Sequence, residues 1–224
     1  MDTMHKLKTT IKKISVYGCG GTGSHIINGL ARLNYSLKQI NKPELYVTAY
    51  DFDTVSYNNI GRQAFYDSDV GHNKAKVLID RVNTYFKLNW KHYTTKAPSS
   101  SKDDMIISCV DTIKSREAIA KSWLKKEAYM IDCGNERTSG QVLIGQFNDE
   151  LPNIYTENND LIYGNEPTDE VGCVDQYHRQ DLFVNSVVAD NALNLIWNLI
   201  KWESLEVRGV FFDLRKGICN PVKI

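Results

Sequence analysis

"KISVYGCGGTGSHIINGL", residues 13–30, is the stretch on which the fold turns. The run 13–21 is apolar and β-branched and then breaks into glycines, which predicts a buried parallel strand entering a tight turn. From Ser24 to Ile40 the apolar residues Ile26, Ile27, Leu30 and Leu33 recur at helical spacing. Strand, glycine turn and helix in that order form the opening of an α/β unit.

Downstream the alternation continues. Residues 44–53 predict a second strand, and 73–86 a helix with Val77, Leu78, Val82 and Phe86 on one side. Residues 104–111, 127–135 and 140–147 predict three more strands, with a helix over 113–126 between the first two. This order predicts a Rossmann-like, doubly wound, mostly parallel sheet with ligands at the carboxyl ends of its strands. Beyond Phe147 the pattern lapses: residues 149–175 hold eight Asp or Glu and no Lys or Arg. An acidic crossover loop is expected over about 149–180, long enough to be functional or mobile. A long apolar helix over 180–202 and a hairpin over 207–224, turning at Arg215-Lys216-Gly217, complete a single-domain reading of 1–224 with an antiparallel C-terminal extension.

Composition narrows the function classes. Lys plus Arg and Asp plus Glu both total 27, so no basic field favours a nucleic-acid backbone. The five cysteines, at 19, 109, 133, 173 and 219, are widely spaced and form no C-x-x-C pair. That spacing disfavours a disulfide framework or zinc ribbon and predicts reduced, cytoplasmic thiols. No run reaches the roughly 18 apolar residues of a membrane span, so a soluble chain without a membrane partner is expected.

Gly18, Gly20 and Gly23 match G-x-G-x-x-G between a predicted strand and helix, where backbone approaches phosphate at a helix N-terminus. A glycine turn also serves helix–sheet packing alone, so the match by itself is weak. A dehydrogenase places its ribose-binding acid about 20 residues past the glycines, whereas Asp51 lies 28 past Gly23. Either the connection around "KQINKP" carries an insertion or the ligand is not a dinucleotide.

The stretch 50–75, "YDFDTVSYNNIGRQAFYDSDVGHNKA", adds two strand-end aspartates, amides, a guanidinium and a lysine. Together "GCGGTG", "DFDTVSYNNIGRQ" and "DVGHNKA" resemble the ThiF/MoeB/HesA family of adenylating proteins, relatives of ubiquitin-activating enzymes. The resemblance is close over 14–80 and looser to about 147. It implies ATP-dependent adenylation of the C-terminal carboxylate of a small ubiquitin-like protein, with release of pyrophosphate. It implies that Gly18, Gly20, Gly21, Gly23, Asp51, Asp53, Asn59, Arg62, Gln63 and Lys74 bind ATP. Asp51 would hold the ribose hydroxyls, Asn59, Arg62 and Lys74 the triphosphate, and Asp111 a Mg²⁺ ion. Arg62 and Asp111 would be catalytic. The chemistry suits such a set: an ionised acid must attack an already negative α-phosphate, so charge must be cancelled.

The last third departs from common members. Their zinc-binding cysteine pairs are absent, so no metal besides Mg²⁺ is expected. "CVDQYHRQDLFVNSVVADNALNLIWNLI" and "LRKGICNP" resemble the ThiF-related proteins of PRTRC cassettes. By resemblance a homodimer is expected, with part of helix 181–202 or its neighbours in the interface. Cys173 stands where activating enzymes place an acyl-accepting thiol. Asp169, Glu170 and Asp175 would raise its pKa, with only His178 or Arg179 to lower it. Cys19, Cys109 and Cys133 read as buried packing, and Asp69 and His72 as structural or solvent-facing. Two other functions remain: a nucleotide-binding scaffold without catalysis, and an NAD-dependent oxidoreductase, which has no use for Arg62, Gln63 and Lys74.

Overall fold

The computed structural model describes residues 4–96, 102–122, 125–148, 150–157 and 180–224. Strand β2 (Lys13–Tyr17) lies inside an eight-stranded sheet because its residues are buried on both faces: Ile14 and Val16 on one, Ser15 and Tyr17 on the other. It runs parallel to β3 (Tyr46–Tyr50) on one side and β5 (Met105–Ser108) on the other. The parallel half extends to β4 (Lys91–Tyr93) beside β3 and to β6 (Tyr129–Asn135) beside β5. Beyond β6 the sheet becomes antiparallel through β7 (Ser139–Gln146), β9 (Val207–Asp213) and β10 (Ile218–Lys223).

Helices cover both faces. Helix α1 (Gly21–Gln39) buries Ile26, Ile27, Leu30 and Leu37 at helical spacing. It shares the larger core with α2 (Lys74–Phe86) and the long α5 (Val184–Trp202). On the opposite face α3 (Ile113–Lys121) sets Ile119 against Tyr17 and Ile106 in a second, smaller core. A crossover on either face leaves the carboxyl ends of β2, β3 and β5 facing a common crevice, the place where this architecture binds ligands.

The strand and helix order matches the sequence reading, and the terminal hairpin is present with its turn before Ile218. The predicted elements overran. Backbone leaves the sheet after Tyr17, Tyr50 and Ser108, α3 ends at Lys121, and α5 begins at Val184. Within the predicted crossover loop, Ile154–Glu157 forms one helical turn, α4, while 158–179 lie outside the described residues. Unforeseen were β4 and a two-stranded ladder between β1 (His5–Lys6) and β8 (Ser204–Leu205).

That small ladder makes a pH-dependent contribution. His5 is buried, and its Nε2 lies 2.7 Å from the Tyr129 hydroxyl. Burial lowers its pKa below the ordinary 6.5, against an upward pull from Glu150 and with a smaller downward push from Lys8. Above pH 6.5 both folded and unfolded chains hold a neutral imidazole. As pH falls through 6.5 the unfolded chain binds a proton that the folded chain resists, so stability declines. The wild type is therefore expected to lose more melting temperature than His5→Gln between pH 7.5 and 5.5; parallel slopes would contradict this.

Candidate functional site

The crevice is built from the glycine turn outward. Gly18 has φ +87°, a left-handed conformation natural to glycine, and a Cβ there would stand 2.7 Å from the Cys109 carbonyl oxygen. Its amide donates to Tyr50 O (3.0 Å), and the next amide, Cys19 N, donates to Asp51 Oδ2 (2.6 Å). Gly20 is the N-cap of α1, and no side-chain cap bond forms there among the described residues. The positive end of a 19-residue helix thus opens toward the crevice, an arrangement suited to an anion. Gly21 has a different reason: a Cβ would lie 2.5 Å from Asn185 Oδ1, so the paired glycine admits a side chain of α5.

The segment after β3 is pinned as one piece. Asp51 receives Cys19 N on Oδ2 and Asp53 N on Oδ1 (2.8 Å), and Asn73 Nδ2 donates to the carbonyls of Asp51 (2.9 Å) and Asp53 (3.0 Å). Asn73 Oδ1 also caps α2 through Lys76 N. Asn59 Oδ1 closes a turn on Ser56, while Arg81 binds Ala64 O and Asp69 from below. From α1, Ser24 Oγ receives Ala64 N (3.0 Å) and His25 Nε2 lies 3.4 Å from Arg62 O. Asp69 is structural, as its sequence context predicts.

Within this frame Arg62 and Lys74 are buried, at 5% and 8% exposure. Lys74 Nζ lies 3.1 Å from Asp53 Oδ2, which supplies the anion that a lysine in a helix's first turn requires. Burial raises the Asp51 pKa, opposed by the Cys19 and Asp53 amides and by Lys74. Gln63 also lines the crevice, with its Oε1 buried and without a hydrogen-bond partner among the described residues.

Across the crevice, Asp111 is exposed, and the N-cap of α3 is Thr112, which accepts from Ser115 N (3.2 Å). The helix-cap role open to a strand-end aspartate therefore falls to its neighbour. Arg116 holds the Val110 carbonyl and the buried Asp132 (3.1 Å), and Tyr155 of α4 donates to the other Asp132 oxygen (2.9 Å). Burial works against the Arg116 charge, but the Asp132 carboxylate more than restores it and raises its pKa.

Gly18, Gly20, Gly21, Asp51, Asp53, Asn59, Arg62, Gln63, Lys74 and Asp111 all line one cleft of 1260 Å³, above the ~300–1,000 Å³ usual for small-molecule sites. Gly23 stands behind it, against Gly18. Cys173 lies outside the described residues. Sequence reasoning missed Thr22, Arg116, Asn135, Gln180 and Asn185, which also line the cleft. Arg116, five residues past Asp111 on the predicted helix that follows it, and the polar end of "MIDCGN" were the available signals.

Fold and cleft together define a doubly wound α/β protein with a glycine turn of the phosphate-binding type. The chain belongs to the ThiF family, whose model matches residues 1–170. It is 34% identical over 145 residues to the NEDD8-activating enzyme E1 catalytic subunit of Saccharomyces cerevisiae, covering 58% of this chain and 46% of that protein. Similar solved folds include PaaA (TM-score 0.69, 16% identity, 95% of this chain and 64% of that one). The structure of E. coli MccB with ATP is another (TM-score 0.61, 14% identity, 97% of this chain and 64% of that one). The chain spans about half of its curated relative and under two thirds of these structures. Among the described residues, no helix is long and apolar enough to cross a membrane.

Proposed function

We propose that this chain is an adenylating enzyme of the ubiquitin-activating type. It uses ATP to activate the C-terminal carboxylate of a small ubiquitin-like protein and releases pyrophosphate. The observation that carries the reading is the convergence of the glycine turn, Asp51, Asn59, Arg62, Gln63, Lys74 and Asp111 on one cleft. The partner's carboxylate oxygen bonds to the α-phosphorus while the bond from that phosphorus to the bridging oxygen breaks, and pyrophosphate leaves with the electron pair. Arg62 offers phosphate a planar fork and Lys74 a compact charge. The α1 N-terminus adds backbone N–H groups, and Asp51, though it holds an amide on each oxygen, keeps a second lone pair on each for ribose hydroxyls.

No group of three His, Cys, Asp or Glu fit to hold a metal occurs among the described residues. The single carboxylate of Asp111 suits Mg²⁺, which is typically held by one or two carboxylates, substrate phosphates and waters. Such an ion would neutralise phosphate charge beside Asp111. The reading extends to one ThiF-like domain over 1–224, cytoplasmic and homodimeric, of the PRTRC type, with Cys173 as a candidate acyl acceptor after adenylation.

The test is pyrophosphate exchange into ATP, dependent on the candidate ubiquitin-like protein, beside calorimetry with Mg-ATP and with NAD. Exchange and preferential ATP binding are expected. ATP binding without exchange would make the protein a scaffold, and tight NAD binding with none of ATP would overturn the reading.

A further inference from the structure

Between the glycine turn and Arg62 runs a chain of neutral amides for which the proposed reaction gives no account. Asn185, in the first turn of α5, is 2% exposed. Its Oδ1 receives Asn135 Nδ2 (2.5 Å) from the end of β6 and Thr22 Oγ1 (3.2 Å) from the first turn of α1. Asn135 Nδ2 also reaches Thr22 Oγ1 (3.2 Å). On its other side Asn185 Nδ2 donates to Gln180 Oε1 (3.0 Å), and Arg62 Nη1 donates to the same oxygen (3.2 Å). Gln180 Nε2 lies 3.4 Å from the Glu136 carbonyl. The orientation of the Gln180 amide follows from its neighbours: turned over, it would set an NH₂ group against a guanidinium and a second NH₂.

We propose that Gln180 and Asn185 are positioning residues that hold the Arg62 guanidinium and the first turn of α1 in one fixed relation, so that both meet the same polyphosphate. The inference rests on the nucleotide reading of the cleft. Three observations converge on it. One oxygen of Gln180 serves both Arg62 and Asn185, so neither donor shifts without disturbing the other. The Asn185 amide occupies the space over Gly21 that any larger residue would need, which ties the second glycine of the GG pair to α5 rather than to the turn itself. Finally, Gln180 offers an oxygen without a negative charge. A carboxylate there would hold the guanidinium equally well in geometry but set a negative charge against it, whereas an amide aims it without adding one.

That last point makes the idea testable with an isosteric change. Gln180→Glu keeps an oxygen for both donors and gains an ion pair with Arg62, which offsets loss of the Nε2 donor to the Glu136 carbonyl, so its melting temperature should change little. It should nevertheless weaken binding of Mg-ATP by about tenfold or more, the worth of one charge-assisted hydrogen bond. Asn185→Asp keeps an oxygen for Thr22 and Asn135 but sets oxygen against Gln180 Oε1. It should weaken Mg-ATP binding while affinity and stability are measured side by side. The titrations are repeated with inorganic tripolyphosphate, which needs the guanidinium and helix end but no adenine site. If the wild type takes tripolyphosphate but not ATP, the nucleotide reading falls and the relay is still judged by the two variants. Unchanged affinity for whichever probe binds, in a Gln180→Glu protein that melts like the wild type, would overturn the relay. A wild type that binds neither probe would overturn both.

Discussion

Arg62→Ala is expected to lower the rate of pyrophosphate exchange by about 10²–10³, the usual loss when one group that stabilises developing charge is removed. The size follows from where the guanidinium sits. At 5% exposure it faces the cleft from a loop held by Asn73, Arg81 and Ser24, in surroundings where water screens charge poorly. On the proposed reading it would act without reorganising as the α-phosphate becomes crowded with oxygen. Arg62→Lys keeps the charge but loses the fork, and should recover only part of the rate. Asp111→Asn should fall into the same range if this carboxylate holds Mg²⁺ as proposed, with a smaller effect on melting because Asp111 is exposed. The checks are exchange rates at saturating ATP and a melting curve for each variant. Exchange at the wild-type rate in both Arg62→Ala and Asp111→Asn would remove the basis for adenylation in this cleft.

What the sequence disclosed and what it withheld follow from the range of the interactions. The parallel core was legible because β2, β5 and β6 are buried along nearly their whole length and so must be apolar runs, β3 buries Val47 and Ala49 in alternation, and α1 and α2 carry their pattern at 3–4-residue spacing. Strand β4 was not, because "KHY" is three residues at the edge of the sheet with nothing fully buried. The ladder of β1 and β8 is two residues long and joins the chain's beginning to the end of α5. The site divides in the same way. Asp51, Arg62 and Lys74 lie within one 25-residue stretch, and their types in order carry the chemistry. Asn185 meets Thr22 across 163 residues and Gln180 meets Arg62 across 118, so no local pattern marks either. Asp51 was legible in position but not in environment. Two backbone amides on its carboxylate exist only once the glycine turn has folded against it.

The four glycines of the turn should separate experimentally, and Gly23→Ala is expected to be the most damaging single change in it. In a helix alanine is ordinarily favoured over glycine by about 1 kcal/mol. Here the added Cβ would stand 1.8 Å from the Gly18 carbonyl oxygen. That oxygen belongs to backbone and cannot swing aside as a side chain would, so the turn itself must open. Opening it strains the Gly18 amide bond to Tyr50 and the Cys19 amide bond to Asp51 together. Overpacking of this kind costs about 3 kcal/mol, and for a chain of this length that is a fall of about 6–12 °C in melting temperature. Gly20→Ala makes the contrast. Its Cβ meets nothing within 4 Å and points into space that the cleft leaves for a ligand. Its melting temperature should fall much less, while its affinity for Mg-ATP drops. Differential scanning fluorimetry beside calorimetry reads the two effects apart. Equal melting losses for the two variants would mean that packing, not ligand approach, requires a glycine at both positions. The weaker of the two explanations for a glycine-rich turn, that it merely lets a helix close on a strand, would then hold for Gly20 as it does for Gly23.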